Sequence, residues 1–278
     1  MALIDIEKLR VTFRTRAGMH EALRGVSLTM GREKVGIVGE SGSGKSLTGK
    51  AILGLVPGHA TVTADRLAFD GQDLLTMPPR QLRQIRGRRI GLVMQDPKYC
   101  LNPVLSVGKQ LVESGLAGGI RSKREARKKS LETLATVQID DPERVMRAYP
   151  HELSGGMAQR VMMAMMVVAE PDLLIADEPT SALDVTVQLE VLRLLDRLVD
   201  QRGMGLVFIS HDLRLVSQFC DRVVVMYAGR VVETLRADEL DKAQHPYTRG
   251  LMECLPTLDH APGQRLKVLE RQAEWVTP

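Results

Sequence analysis

Residues 34–46 read KVGIVGESGSGKS, and this stretch decides the fold. Its first five residues form a short apolar run of the kind that becomes a buried strand. The next eight fit the pattern GxxxxGK followed by Ser or Thr, and the helix-like segment LTGKAILGL (47–55) comes directly after them. The motif therefore stands between a buried strand and the start of a helix, which is where a phosphate-binding loop must stand.

The residue types of this loop suit phosphate chemistry. Glycines let backbone N–H groups crowd around phosphate oxygens, and the start of a helix adds a favourable field for an anion. We expect Lys45 to reach the β- and γ-phosphates of a nucleoside triphosphate and the Ser46 hydroxyl to hold Mg²⁺. The candidate phosphate-binding residues are Gly39, Glu40, Ser41, Gly42, Ser43, Gly44, Lys45 and Ser46.

A second candidate segment is DLLIADEP (172–179). Its apolar residues predict a strand that delivers two acids at its carboxyl end, where the ligands of parallel sheets collect. Adjacent residues on a strand point in opposite directions, so Asp177 can face Mg²⁺ beneath the loop while Glu178 faces the attacking water. We predict that Glu178 is the general base of hydrolysis.

Strands and helices alternate along most of the chain, which predicts an α/β fold around a parallel sheet. Residues 3–13 and 22–30 predict an N-terminal antiparallel hairpin with RTRAGMHE (14–21) as its turn. Further strands are predicted over 34–38, 66–70, 90–94, 172–176, 205–209 and 222–227, and helices over 78–85, 123–138, 155–169, 185–200 and 212–220. Residues 105–170 hold no convincing strand, so we expect an α-helical subdomain, over about 100–165, inserted into this sheet. Together with the phosphate-loop motif, this arrangement resembles the P-loop NTPase fold of the RecA-like type.

Composition excludes several classes of protein. The 278-residue chain has a net charge of +4 and is 44% hydrophobic, an ordinary balance for a globular protein. Its longest uncharged apolar stretch, 161–169, is much shorter than the roughly 20 residues that span a bilayer, and early charges argue against a signal peptide. Aromatic residues are only 3%, and we interpret the basic runs 80–89 and 121–129 as solvated helix faces, so no nucleic-acid partner is expected.

The segment HELSGGMAQR (151–160) specifies the kind of phosphate-loop protein. Ser154 is placed to cap a helix, and Gly155 and Gly156 leave backbone donors open to an anion. With the motifs above, the segment closely resembles the ABC-transporter ATPase family, whose signature is normally LSGGQ; Met157 stands here in place of the Gln. The resemblance implies that the anion is the γ-phosphate of ATP bound to a second ATPase domain in a head-to-tail dimer.

Four more positions match the family in order along the chain. The resemblance implies that Gln95, in VMQDP, senses Mg²⁺ or water and couples to a membrane partner, and that Asp184, in SALD, lies near the dimer seam. It implies that His211, in FISHD, contacts the γ-phosphate and that Phe13 stacks on adenine. The implied catalytic residues are thus Glu178, His211, Lys45 and Gln95, and the implied Mg²⁺ ligands are Ser46, Gln95 and Asp177.

A finer resemblance is to the ATPases of dipeptide, oligopeptide and nickel importers. It is carried by LNPVLSVG (101–108), YPHELSGGM (149–157), LLIADEPTSALDVTVQ (173–188) and HPYTRGL (245–251). The resemblance implies an ABC ATPase domain over 1–240 and a C-terminal extension of the peptide-importer type over 241–278, in which we expect Trp275 to anchor the tail.

This branch implies a subunit that hydrolyses ATP, with Mg²⁺, to power uptake of peptides or a related small solute. Its implied partners are transmembrane permease subunits, a second ATPase subunit of the same or a different sequence and, indirectly, a solute-binding protein. The implied location is peripheral, on the cytoplasmic face of the plasma (inner) membrane. One alternative is the ATPase of a soluble enzyme complex of the phosphonate-breakdown kind, which resembles the same branch. A DNA- or ribosome-associated ABC protein is disfavoured, because the sequence shows no long coiled coil and no second cassette.

Overall fold

The computed structural model describes residues 2–94, 100–180, 185–254 and 275, so the candidate residues Gln95 and Asp184 lie outside the described part. The elements in chain order are β1 Ile4–Thr15, β2 Gly18–Met30, β3 Lys34–Val38, α1 Lys45–Ile52, β4 Ala60–Thr63, β5 Arg66–Phe69, β6 Gln72–Asp73, α2 Pro79–Ile85, β7 Ile90–Val93, α3 Val107–Ala117, α4 Lys123–Thr136, α5 Pro142–Arg147, α6 Gly155–Val167, β8 Leu173–Asp177, α7 Val185–Arg202, β9 Gly205–Ile209, α8 Leu213–Phe219, β10 Arg222–Tyr227, β11 Arg230–Arg236 and α9 Pro246–Glu253. They fall into two compact units, a first unit of residues 1–75 and 208–278 and a second unit of residues 76–207.

The first unit begins with an antiparallel sheet in the order β2-β1-β5-β6, with β4 also paired to β1. Ile4, Ile6, Leu9 and Val11 are all buried at 0–1% exposure. Ile6 and Leu9 are three residues apart, and the register shift between them keeps both pairs of apolar residues on the core side. The predicted antiparallel hairpin is confirmed.

The turn of this hairpin is shorter than the sequence predicts. The prediction of a turn over residues 14–21 is wrong, because β1 continues to Thr15 and β2 already begins at Gly18. Only Arg16 and Ala17 form the turn. The side chains at this end of the hairpin are exposed, so backbone pairing continues here without the apolar alternation that marks a strand in sequence.

The parallel part of the first unit holds the loop-bearing strand β3. Strand β10 pairs in parallel with β3 and antiparallel with β11. Helix α8 packs so closely on β3 that a Cβ on Gly36 would lie 1.9 Å from Cγ1 of Val216. A glycine is therefore required at this position of the strand, because it lets α8 pack directly on β3.

The second unit combines a parallel strand pair with helices. Strands β7 and β8 pair in parallel, from Ile90 opposite Leu173 to Val93 opposite Ala176. Ser106, Ser122, Asp141 and Ser154 each cap the helix that follows, accepting a hydrogen bond from a first-turn amide. Within the described residues no strand occurs between β7 and β8, as predicted. No helix within the described ranges has both the length and the apolarity needed to cross a bilayer.

Candidate active site

The loop of residues 39–44 joins β3 to α1 and has the backbone of a phosphate cradle. Gly39, Gly42 and Gly44 have φ of 151°, 82° and 103°, which glycine adopts far more easily than other residues. A Cβ on Gly39 would lie 2.1 Å from the Met226 carbonyl oxygen, and one on Gly44 would lie 2.5 Å from a methyl group of Leu23. The glycines are thus required both for the turn of the loop and for its close packing against β2 and β10.

Lys45 folds back over this loop. Its side chain is 5% exposed, and its ammonium donates to the carbonyl oxygens of Gly39 at 2.7 Å and Glu40 at 2.9 Å. Thr48 N–H donates to the Gly44 carbonyl and so closes the first turn of α1. The Ser43 hydroxyl is buried and has no hydrogen-bond partner among the described residues. The Lys45 ammonium and the Ser43 hydroxyl therefore lie in the loop that would bind an anion.

The turn between β10 and β11 is hydrogen-bonded to the phosphate loop. Ala228 and Gly229 have φ of 46° and 82°, the pattern of a tight two-residue hairpin turn. Gly229 N–H donates to the Ser43 carbonyl at 3.0 Å, while Arg24 N–H donates to the Gly229 carbonyl at 2.8 Å. This contact is not predicted from the sequence, because Ala-Gly is not one of the residue pairs that mark a two-residue hairpin turn.

His211 and Phe13 also lie in the first unit. Ser210 N–H donates to the Ile37 carbonyl at 3.1 Å, which fixes the exposed His211 beside the end of β3. Asp212 then caps α8 by accepting from the amides of Arg214 and Leu215. Phe13 is half-buried near the end of β1, and its ring centroid lies 5.5 Å from that of the exposed His59. His59 is not predicted from the sequence, because a single exposed histidine belongs to no motif.

The second unit holds the two acids. Asp177 is the last residue of β8, which begins and ends one residue later than the strand predicted over 172–176. Glu178 follows with φ of 47°, a left-handed conformation that costs a glutamate energy and that surrounding structure must maintain. The side-chain amide of Gln159 donates to the carbonyl of Pro179, directly after Glu178. Gln159 is 1% exposed and is a further site residue that the motif analysis missed.

The signature segment lies at the start of α6 in the same unit. Ser154 caps the helix, as predicted, by accepting from Met157 N–H at 3.3 Å. Arg160 donates to the Gln138 carbonyl and to the Glu190 carboxylate at 2.8 and 2.7 Å, which bonds α6 to its neighbours. A cleft of about 650 Å³, the signature cleft, lies at the start of α6. It is lined by Gln138, Ile139, Asp140, Asp141, Arg144, Val145, Ser154, Gly155, Gly156, Met157, Arg160, Val187 and Glu190.

Residues 23–181, which include the phosphate loop, both acids and the signature, match the sequence pattern of the ABC transporter family. The chain belongs to the ABC transporter family. It is an ABC-type ATPase, as the resemblance predicts, and its P-loop NTPase fold class is confirmed by solved ABC cassettes. A dimeric post-hydrolysis state of an ATP-binding cassette bound to ADP and Pi has a TM-score of 0.74 and 28% identity, with 84% of this chain and 98% of that chain covered.

Relatives of this ABC ATPase include proteins named for peptide transport. The dipeptide transport ATP-binding protein DppD of Bacillus subtilis is 45% identical over 92% of this chain and 78% of its own length. The probable D,D-dipeptide transport ATP-binding protein DdpD of Escherichia coli is 48% identical over 91% of this chain and 78% of its own. The oligopeptide transport ATP-binding protein OppD of Bacillus subtilis is 42% identical over 96% of this chain and 75% of its own.

Proposed function

We propose that this ABC ATPase is the ATP-hydrolysing subunit of an importer for peptides or a related small solute. The observation that carries the proposal is the likeness, 42–48% identical over 91% or more of the chain, to proteins named for dipeptide and oligopeptide transport. Those names favour import over the soluble enzyme complex that the sequence leaves open. Peptides are the solute class that the relatives share in name.

The nucleotide would be held mainly by the first unit. The loop of residues 39–46 would surround its phosphates, Lys45 would exchange its contacts with the loop carbonyls for phosphate oxygens, and Phe13 would stack on the base. The glycine backbone, the buried ammonium at 2.7–2.9 Å from the loop and the buried Ser43 hydroxyl fit an anion. In this arrangement Lys45 stabilises charge on the transferred phosphoryl group.

Oxygen donors suited to Mg²⁺ occur at three positions. Ser46, Gln95 and Asp177 would supply a hydroxyl, an amide oxygen and a carboxylate, which are the hard ligands that this ion prefers. When bound, Mg²⁺ neutralises charge on the β- and γ-phosphates. Of these residues, Ser46 is the second residue of α1 in the first unit, and Asp177 is the last residue of β8 in the second unit.

Hydrolysis would need a general base and groups that stabilise the charge on the γ-phosphate. Glu178 would accept a proton from the attacking water, and His211 would hydrogen-bond the γ-phosphate. The capped start of α6, with Ser154, Gly155 and Gly156, would bind the γ-phosphate held by a second ATPase chain, identical or related. Asp184 would lie near the seam of that dimer.

The same proposal covers location and partners. The ATPase domain would span residues 1–240 with its helical subdomain over about 100–165, and this subdomain together with Gln95 would pass closure of the dimer to transmembrane permease subunits. A solute-binding protein would deliver cargo to the permease. The chain would then sit peripherally on the cytoplasmic face of the membrane.

Transport is tested by the proteins that co-purify and by uptake. The tagged Glu178→Gln chain, isolated with Mg-ATP from detergent-solubilised membranes of its source cells, should retain a multi-span permease and an ATPase partner. Cells expressing the wild-type chain should accumulate labelled dipeptide, and cells with Lys45→Ala should not. Recovery of soluble enzymes without an integral membrane protein, together with unchanged dipeptide uptake, would overturn the importer proposal and leave the ATPase intact.

A further inference from the structure

A tyrosine near the end of the chain hydrogen-bonds the phosphate loop. The Tyr247 side chain, on α9, is completely buried at 0% exposure. Its hydroxyl accepts a hydrogen bond from the backbone N–H of Glu40 at 2.9 Å, although the two residues are 207 positions apart in sequence. The contact therefore exists only when residues of the C-terminal segment are docked on the loop.

The bond fixes one peptide unit from both sides. The Glu40 N–H and the Gly39 carbonyl belong to the same planar trans peptide, in which these two groups point in opposite directions. Lys45 holds the carbonyl at 2.7 Å, and Tyr247 holds the N–H at 2.9 Å. Rotation of this peptide would redirect the start of the loop, so Tyr247 helps to set the direction in which the following amides point.

The backbone of Tyr247 is itself anchored by polar contacts. The His245 ring nitrogen Nδ1 accepts from Tyr247 N–H at 3.2 Å and caps α9. Gln244 N–H and His245 N–H donate to the two carboxylate oxygens of Glu233 on β11, at 2.6 and 3.2 Å. The residues that lead into α9 are thus hydrogen-bonded to β11. These bonds, together with packing, fix the direction of the Tyr247 phenol toward Glu40.

The Tyr247 ring packs in a cluster of three aromatic side chains. The ring centroid of Tyr247 lies 4.6 Å from that of Tyr227 and 5.5 Å from that of Trp275, and the latter two lie 5.6 Å apart. Tyr227 ends β10, immediately before the turn that donates to Ser43. Trp275 is 8% exposed, so it buries most of its ring against these two tyrosines.

We propose that Tyr247 is a positioning residue for nucleotide binding, and that α9, with Trp275 packed on Tyr247, supports the phosphate loop. The inference rests on the proposed phosphate role of residues 39–46 and does not depend on which solute is carried. Because binding linkage is reciprocal, nucleotide should favour the packing of Tyr247 and Trp275 at the loop by the same factor by which this packing favours nucleotide.

The test compares two tyrosines of the same cluster in the full-length chain. Tyr247→Phe removes the hydroxyl that holds Glu40, whereas Tyr227→Phe keeps that bond and serves as the matched control. We expect Tyr247→Phe to raise the Kd for ADP, measured by calorimetry, and the KM for ATP by roughly three- to tenfold, the value of one hydrogen bond. Its kcat should stay within about twofold, since a ground-state contact changes KM first. Tyr227→Phe should match the wild type.

The single tryptophan of the chain gives a second, independent readout. ADP added to the wild type should shield Trp275 from acrylamide quenching, and in Tyr247→Phe this shielding should be lost even at saturating ADP. Trp275→Ala leaves the hydroxyl in place and should weaken ADP binding in the same direction. Both variants are checked for thermal unfolding above the assay temperature. If Tyr247→Phe unfolds there, Trp275→Ala decides.

The outcomes separate this inference from the proposed function. The positioning role would be overturned if Tyr247→Phe kept the wild-type affinity for ADP and the wild-type KM for ATP. Where Trp275→Ala decides, wild-type ADP affinity in that variant would overturn it. Trp275 quenching that does not respond to ADP in the wild type would overturn the linkage. Failure of the wild-type chain to bind ADP at all would instead overturn the nucleotide site on which both proposals depend.

Discussion

The buried side-chain amide of Gln159 donates a hydrogen bond to the backbone carbonyl of Pro179. This contact joins α6, which carries the signature segment, to the residues that follow Glu178. Glu178 itself has a left-handed backbone, with φ of 47°, which needs support from its neighbours. The position of the candidate base is therefore coupled to the position of α6 within the second unit.

Replacement of Gln159 by Leu should lower kcat more than it raises the KM for ATP. Leucine has a similar volume but no donor, so it leaves the buried Pro179 carbonyl unpaired and releases the segment after Glu178. We expect kcat to fall by roughly tenfold, the equivalent of one lost buried hydrogen bond. Steady-state ATPase assays measure the split, and Gln159→Glu, of similar shape, tests whether the donor is what matters. An unchanged kcat in Gln159→Leu would show that Pro179 needs no such support.

Glu178→Gln should bind ATP and fail to turn it over. The amide keeps the size and hydrogen-bonding reach of the carboxylate but cannot accept the proton of water, so kcat should fall by about 10²–10⁴. Filter binding and size-exclusion chromatography should show retained ATP and an accumulated ATP-bound dimer. Normal steady-state turnover would remove Glu178 from the role of base.

The features that the sequence predicts well are those formed by residues close together in sequence. The loop of residues 39–46, the acids Asp177 and Glu178, and the cap at Ser154 are each specified by neighbours in sequence, so local rules locate them. The contact between Tyr247 and Glu40 joins residues 207 positions apart, and no periodicity encodes it. Gln159 looks like an ordinary polar residue on a helix until its burial is seen. Local pattern thus yields the candidate reacting groups, while the residues that contact them emerge only from tertiary structure.

Gly39→Ala should damage the loop far more than Gly42→Ala. Both glycines have positive φ, so both variants bear backbone strain of about 1–3 kcal/mol. Only at Gly39 would the new Cβ meet an atom, the Met226 carbonyl oxygen at 2.1 Å, whereas nothing lies within 4 Å of one at Gly42. We expect Gly39→Ala to lower both the melting temperature and ADP affinity further than its control does. Equal losses in the two variants would mean that strain, and not the contact with β10, governs this loop.

Acid should weaken one ionic contact in the second unit. Lys129 Nζ lies 2.5 Å from a Glu170 carboxylate oxygen. Hydrogen bonding to Lys129, with charge from Lys129 and Arg202, holds the pKa of Glu170 below its ordinary value of 4.5, against an opposing effect of burial. A lowered folded-state pKa gives stability that is present above the unfolded value and lost as pH falls through the folded one.

Urea unfolding checks this dependence. Wild type should exceed Glu170→Gln in free energy of unfolding near pH 7, by less than about 1 kcal/mol because the pair is solvent-exposed. The difference should begin to shrink below about pH 4.5, where the carboxylate becomes protonated in the unfolded chain, and should disappear below the lower pKa of the folded protein. A difference that stays constant from pH 7 to about pH 3 would indicate that shape, and not charge, separates the two proteins.

Ser154 and Ser122 distinguish helix capping from nucleotide contact. Each caps a helix of the second unit through its hydroxyl, accepting from Met157 N–H at 3.3 Å and from Glu125 N–H at 3.2 Å. Alanine at either position should therefore cost a similar free energy of unfolding, about 0.5–2 kcal/mol. Only Ser154 lies in the signature cleft, so only Ser154→Ala should also reduce ATPase turnover and ATP-driven dimerisation, measured at a temperature where both variants are folded. Parallel losses of turnover in the two variants would trace the effect of Ser154 to helix stability and count against a contact between its hydroxyl and the γ-phosphate.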